Sequence, residues 1–335
     1  CVKPSDGSGD FDFSRNSAAT RVNAQGLVEN VQHLGSELIT IGNDTSDIVG
    51  LSDNQNITIQ TSFLTIGKTY QIDFEIYDYV EGSIFLLRPT DLGVGSAVSV
   101  NGQYTYTVVA DASTSLIFRT DGLSTTLKLK GISVKEVIDN TNLPRINYEG
   151  FSYDGSGNVV PDSGCGSWLF EPQSTNLITY SEDFSQWGYS GDITVESGYL
   201  APDGTNNAYK ISGTTSALTL GGASETSSRT IYARTISGTG QANLCSFNQN
   251  TNNFFTVTEQ WQRFEVNGAI ALGGTVFYAV DFRGNTNLTD ILIWGAQSEA
   301  LSYATSYIPT SGSTVTRNQD VCTNGGSLAS INSTE

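Results

Sequence analysis

The segment that most constrains the fold is a run of strict alternation in the first third of the chain. Residues 68–80 read KTYQIDFEIYDYV, and the apolar side of the run is made by Tyr70, Ile72, Phe74 and Ile76. Successive side chains of a β-strand point to opposite faces, so a period of two indicates a half-buried antiparallel strand. A helix would scatter these four side chains around its axis, and the pattern therefore predicts a sheet.

The rest of the chain has the composition of an all-β protein. It holds 35 glycines in 335 residues, and only 15% of its residues are charged. Short runs of Val, Ile, Thr, Tyr and Phe between Gly, Asn and Asp are typical of strands and turns. In residues 126–137 the apolar phase shifts around Gly131, which predicts a β-bulge because glycine tolerates the backbone angles required there.

An internal repeat predicts two similar modules. At one constant offset, the matching pairs are Leu38 and Leu177, Ile39 and Ile178, Thr40 and Thr179, Asp44 and Asp183, and Ser46 and Ser185. Each repeat has the size of a sandwich or jelly roll. We therefore predict two tandem antiparallel β-sandwich (jelly-roll) modules joined by an extended connector.

The predicted boundaries follow changes in composition. They are an extended N-terminal segment at 1–35, module 1 at 36–138, the connector at 139–175, module 2 at 176–300, and an extended C-terminal segment at 301–335. The turn sequence DGSGN in the connector favours a hairpin. We expect a further module to follow the C-terminal segment.

Charge and motif content exclude several function classes. The net charge of −18 opposes binding to nucleic acids and to anionic lipid, and no apolar run is long enough to cross a membrane. The chain has one histidine, His33, and lacks the GxSxG, P-loop and HExxH motifs. Glycoside hydrolysis needs two carboxylates, and 34 acidic residues do not single out a pair. We predict that the protein is not an enzyme.

Sugar binding is the sharper hypothesis, because lectin modules stack sugars on exposed aromatic rings. Trp187 and Tyr189 lie in the Gly-rich sequence SQWGYSGD, and Asn250 and Asn252 lie in the polar sequence NQNTNN. For Trp187 and Tyr189, exposure and burial remain equally good alternatives. The other three tryptophans are predicted to be core residues, since aromatic side chains dominate sandwich interiors: Trp168, Trp261 and Trp294.

A structural calcium ion is a second hypothesis. Asp183, beside Glu182, and Asp44, beside Asn43, occupy matching repeat positions and are candidate ligands. An equally good account is that both aspartates cap turns through their side chains.

Charged residues in the segments that flank the modules suggest a structural role. We expect Arg21, Arg145 and Glu171 to meet as ion pairs where the connecting segments cross. A buried cluster of this kind would fix how the segments dock.

Three phrases carry a resemblance to a known family. They are FSRNSAATRVNAQGLVENV at 13–31, LFEPQSTNLITYSEDFSQW at 169–187, and WGAQSEALSYATSYIPTSGSTVTRNQDV at 294–321. Together they resemble phage virion proteins of the head-spike-fibre and tail-fibre type, which carry carbohydrate-binding-type jelly rolls. The resemblance implies a non-enzymatic fibre, spike or capsid-decoration subunit on the virion surface. It also implies contacts with other virion proteins, self-association, with trimers common, and adhesion to host-surface polysaccharide.

The alternative is a secreted or lipid-anchored bacterial adhesin, located outside the cell or on the outer membrane. Cys1 favours this alternative, because a lipidated cysteine begins mature bacterial lipoproteins. Both hypotheses share glycan binding by jelly-roll modules.

Overall fold

The chain is built from antiparallel β-strands. The computed structural model describes residues 12–40, 46–90, 94–148, 151–153, 159–161, 166–189, 191–214, 217–221, 226–246, 254–270, 277–283 and 286–323. Among these residues every strand pairing is antiparallel, and the single helical element is a 3-10 turn at Phe184–Gln186. The predicted all-β class is confirmed.

Module 1 is one seven-stranded sheet folded over its own core. Its strands are β4 (His33–Glu37), β5 (Ser46–Leu51), β6 (Asn56–Gln60), β7 (Thr69–Arg88), β8 (Val94–Val98), β9 (Gly102–Val109) and β10 (Leu116–Asp139). The long strands β7 and β10 pair along most of their length, and the five shorter strands pair with one or the other.

The two halves of β7 lie on opposite sides of this core. Phe74, in the first half, pairs with Tyr104 of β9, whereas Phe118 of β10 pairs with Leu86 in the second half. The rings of Phe74 and Phe118 nevertheless touch, with centroids 4.8 Å apart. Module 1 is therefore a sandwich whose two layers share their longest strands.

Local backbone geometry explains the bend. Asp78 and Gly82, which lie between the halves of β7, have positive φ angles of 50° and 78°. A Cβ on Gly82 would lie 2.2 Å from the Ser124 carbonyl oxygen, so only glycine fits there. The predicted bulge is confirmed, because the β7–β10 register shifts between Lys130 and Ser133, around Gly131.

The alternation in residues 68–80 corresponds to a half-buried strand, as predicted. Its four apolar side chains are at most 3% exposed: Tyr70, Ile72, Phe74 and Ile76. Gln71, Asp73 and Glu75 lie on the other face and are only partly buried.

Module 2 is a sandwich of two five-stranded sheets. Its strands are β16 (Gly188–Tyr189), β17 (Thr194–Tyr199), β18 (Ala208–Ser212), β19 (Ala217–Gly221), β20 (Thr226–Arg234), β21 (Gly240–Ser246), β22 (Phe254–Val257), β23 (Gln262–Ile270), β24 (Phe277–Asp281) and β25 (Asp290–Glu299). One sheet has the order β16-β19-β24-β21-β22, and the other has the order β17-β18-β25-β20-β23. Their inner faces enclose a core that includes Phe184, Trp187 and Ile293.

The sheet that contains β25 is covered on its outer face as well. Trp294 and Tyr232 pack there against Val28, from the N-terminal segment, and Tyr307, from the C-terminal segment. Strand β25 is consequently buried from Ile291 onward. The two terminal segments thus complete a second apolar layer over module 2.

Short strand pairs bring the flanking segments together. They are β1 (Asp12–Ser14) with β27 (Val321–Thr323), β2 (Thr20–Val22) with β3 (Val28–Asn30), β11 (Arg145–Asn147) with β14 (Ser167–Leu169), β12 (Phe151–Tyr153) with β13 (Val159–Pro161), and β15 (Ser174–Asn176) with β26 (Val315–Arg317). Segments from the start, middle and end of the chain therefore meet beside module 2.

Candidate functional site

A buried ion-pair network forms where these segments meet. Arg145 lies 2.9 Å from Glu171 and 2.5 Å from Asp320, Arg317 lies 2.6 Å from Glu171, and Arg15 lies 3.2 Å from Asp320. The three arginine side chains are at most 1% exposed, and the two carboxylate side chains at most 11%. We call these five residues the collar.

The collar orders the segments more than it stabilises them. Burying three guanidiniums costs hydration, and burial lowers the pKa of Arg15 and of Arg317. The side chain of Arg145 bonds at once to Thr20, in the N-terminal segment, and to Ser306, in the C-terminal segment. One side chain therefore links three parts of the chain that are distant in sequence.

Arg145 and Glu171 lie in the collar, but the prediction for Arg21 is wrong. Arg21 pairs with Glu29 at 2.7 Å, and both side chains are about one-third exposed. The two residues stand directly opposite each other in the β2–β3 pair, so the cross-strand partner is the nearest one. Sequence reasoning missed Arg15, Arg317 and Asp320, although both arginines precede an asparagine inside the quoted phrases.

Of the two alternatives left open for Trp187, exposure is wrong. Trp187 is 3% exposed, its Nε1 donates to the Tyr180 carbonyl oxygen at 2.8 Å, and its ring packs on Phe184 and Tyr278. The 3-10 turn at Phe184–Gln186 directs the side chain into the core of module 2. Trp187 therefore presents no ring face to a sugar.

The other predicted sugar-binding residues do not assemble into a described site. Tyr189 is 64% exposed on β16, a two-residue strand at the edge of its sheet. Asn250 and Asn252 lie outside the described residues.

An exposed aromatic group lies on the connector instead. Trp168 and Phe170 are each 45% exposed, their ring planes differ by only 20°, and their centroids are 6.3 Å apart. Phe13 approaches Phe170 at 6.4 Å. We call these three residues the aromatic strip. The prediction that Trp168 is a core residue is wrong. In the part of the chain that the structure describes, β14 pairs only with the short strand β11 and belongs to neither sandwich.

The collar fixes the position of this strip. Leu169, which lies between Trp168 and Phe170, pairs with Arg145 in the β11–β14 register, and Glu171 follows directly. Residues at i and i+2 of an extended chain share one side, so the two rings project together. Phe13 lies in β1, two residues before Arg15 of the collar.

Asp183 does not fit the calcium hypothesis. Its Oδ1 accepts hydrogen bonds from the backbone and hydroxyl of Ser185 and from the Tyr209 hydroxyl, which is the turn-capping alternative. Asp44 lies outside the described residues.

A neighbouring set of oxygen atoms fits calcium better. The Asn207 amide donates from Nδ2 to Glu182 at 3.1 Å and to Asp203 at 3.2 Å, while its buried Oδ1 has no hydrogen-bond partner among the described residues. If the Asn207 amide were rotated so that its oxygen and nitrogen exchanged places, Oδ1 and the carboxylates of Glu182 and Asp203 would face one cation. Burial raises the pKa of Glu182 to about 7 and also raises the pKa of Asp203.

Two kinds of feature are absent from the described residues. No group of three or more His, Cys, Asp and Glu side chains is gathered there as for a metal ion. In the same part of the chain, no helix has the length and apolar character needed to cross a membrane.

Comparisons with known proteins show only distant likeness. No family model and no curated protein matches the chain. A tandem CBM22-1–CBM22-2 domain pair of Xyn10C from Paenibacillus barcinonensis is 12% identical, with 88% of this chain and 98% of that chain covered and a TM-score of 0.27. The ANXUR2 extracellular domain from Arabidopsis thaliana is 8% identical, with 91% and 100% covered and a TM-score of 0.21. These scores are too low to support an argument, and the assignment of two β-sandwiches rests on the strand pairing.

Proposed function

We propose that the chain is a non-enzymatic structural protein of a phage particle, a fibre, spike or capsid-decoration subunit, that adheres to host-surface glycans. The observation that carries the adhesive part is the aromatic strip. Two nearly parallel rings, each about half exposed, offer flat apolar faces of the kind that sugar rings stack on.

The frame behind the strip supports this role. Exposed aromatic side chains on a mobile loop would lose conformational entropy on binding, and a rigid support reduces that cost. Here Leu169 and Glu171 are held through Arg145. A preorganised strip suits adhesion to a repeating polymer, in which each contact is weak and many copies act together.

The proposed location on a phage particle is supported by the positions of the collar residues in the sequence. Arg15, Glu171, Arg317 and Asp320 come from the three phrases that resemble phage fibre proteins. The quoted phrases are thus the segments that dock on one another. Self-association, with a trimer as the expected form, belongs to the same proposal and is measured by the mass of the purified protein.

Binding to a panel of bacterial surface polysaccharides tests the adhesive function. We expect Trp168→Ala and Phe170→Ala each to weaken binding by about tenfold or more, since a buried aromatic anchor is worth over ~1 kcal/mol. Tyr303→Ala is the matched control, because Tyr303 is 48% exposed but lies outside the strip. If the strip variants bind as the control does, or if no polysaccharide binds, the proposal fails.

A further inference from the structure

A cavity of about 190 Å³ lies beside the collar, between the β2–β3 pair, the connector and the outer face of module 2. At ~30 Å³ per water molecule, its volume equals that of about six waters. It therefore has room for a single sugar ring. Its walls include Tyr232 and Tyr307, two aromatic side chains, together with Arg21, Arg263, Glu171 and Ser306.

The charged side chains that line this cavity differ in whether they already have a partner of opposite charge. Glu171 is its one carboxylate among the described residues, and both of its oxygens are engaged, by Ser306 and by the collar arginines. Arg21 is neutralised by Glu29 at 2.7 Å. Neither residue leaves a free charge for a ligand.

Arg263 differs from both. Its Nη2 donates to the Thr230 hydroxyl at 3.0 Å, and its guanidinium lies 5.7 Å from the centre of the Tyr232 ring. Among the described residues no carboxylate lies within ion-pair distance of it. The neighbouring acid Glu265 instead accepts from Asn267 and from the Ala304 backbone.

Arg263 is a cationic residue in the wall of this cavity, in a chain with a net charge of −18. A guanidinium offers paired N–H donors that match the geometry of a carboxylate. Because the cavity also has the volume of one sugar ring and polar lining residues such as Thr20 and Asn147, the fitting ligand combines a pyranose with a carboxylate.

We propose that this cavity binds one acidic sugar unit, a uronic or sialic acid, with its carboxylate on Arg263. The inference rests on the proposed function and narrows it to glycans that carry carboxylates. The aromatic strip and the cavity lie on either side of the same connector strand, since Leu169 lines the cavity while Trp168 and Phe170 flank it. One chain of a branched polymer can then engage the strip while an acidic unit enters the cavity.

Titration of the purified chain with three small probes tests the inference: sodium glucuronate, methyl glucoside and sodium acetate. We expect glucuronate to bind at least about tenfold more tightly than either of the others, because only it supplies both ring and charge. Raising the NaCl concentration should weaken glucuronate binding alone. Equal affinity for glucuronate and methyl glucoside would overturn the inference without any variant.

Arg263→Gln should lower glucuronate affinity by about tenfold or more. The matched control is Arg119→Gln, since Arg119 is also partly buried and donates to a neutral side chain, Asn56, in module 1. Unchanged glucuronate binding by folded Arg263→Gln would also overturn the inference.

Different results would contradict the adhesive function and the binding of an acidic sugar in the cavity. Strip-dependent binding of a neutral polysaccharide, with no binding of glucuronate, would overturn the cavity inference and leave adhesion standing. Arg263-dependent binding of glucuronate, with no polysaccharide bound, would support the cavity and contradict adhesion by the strip.

Discussion

Arg145 donates from Nη2 to Oδ2 of Asp320 at 2.5 Å, although 175 residues separate them along the chain. Both side chains are fully buried. The same carboxylate accepts from Arg15 and from the backbone of Glu171. Loss of Asp320 would therefore remove a shared charge partner from Arg15 and Arg145.

Arg145→Ala should lower the free energy of unfolding by about 3–5 kcal/mol, the usual cost of breaking a buried ion pair from one side. Urea unfolding measures this, and small-angle scattering should show a looser arrangement of the segments. Arg21→Ala is the control, because its pair with Glu29, in which both side chains are about one-third exposed, is worth only about 0.2–1 kcal/mol. Equal losses in the two variants would show that the collar does not hold the segments.

Trp187→Ala should cost about 3–5 kcal/mol, because it leaves a cavity in the core of module 2. Tyr189→Ala, two residues away, should change stability by less than about 0.5 kcal/mol, since that side chain is 64% exposed. Thermal unfolding of both variants is the measurement. A mild effect at Trp187 would contradict its burial.

The Glu182 carboxyl makes stability depend on pH. Its pKa is raised from 4.5 to about 7 in the folded protein, mainly by burial. The folded state therefore holds a proton that the unfolded state releases, and stability falls as the pH rises from about 4.5 to about 7. With a chelator present, we expect a loss of about 1–3 kcal/mol across that window.

Glu182→Gln should flatten this profile, because the amide does not titrate. The measurement is the free energy of unfolding between pH 4 and 8, compared with that of the unsubstituted chain. A profile that still falls in the variant would assign the dependence to another group, such as Asp203, whose pKa is also raised.

Calcium should stabilise the chain at neutral pH if Glu182, Asp203 and Asn207 bind it, since a ligand of the folded state raises its stability. We expect millimolar calcium to raise the midpoint of thermal unfolding, and Asp203→Asn to abolish the rise. Asp183→Asn is the control, because Asp183 caps a turn and should leave the response intact. No response to calcium in the unsubstituted chain would rule out the site.

The local sequence pattern is sufficient to predict the sheets, but it does not predict how deeply each tryptophan is buried. The alternation at Tyr70 and Phe74 identifies the buried face because a half-buried strand imposes a period of two. Trp168 is exposed although burial is predicted for it, and Trp187 is buried although the sequence leaves both alternatives open. Whether a large ring is covered depends on segments far along the chain: Trp187 is covered by Tyr278 of β24, whereas β14 lies outside both sandwiches.

The collar shows the same limit for charged residues. Arg145 and Glu171 are predicted to meet because both lie in the connector at 139–175. Arg317 lies 146 residues from Glu171, and no local period relates the two. The prediction for Arg21 fails because Glu29, eight residues away across a tight pair of strands, is its nearest partner.

The pairing of β1 with β27 has a mechanical consequence. Asp12 faces Thr323, and Ser14 faces Val321, so tension applied at residues 12 and 323 peels this short ladder open one rung at a time. The next resistance is the contact of Arg15 with Asp320. Load entering at these two residues is thus taken up by the β1–β27 pair and the Arg15–Asp320 contact before it reaches either sandwich, and Phe13 of the aromatic strip lies in the part that yields first.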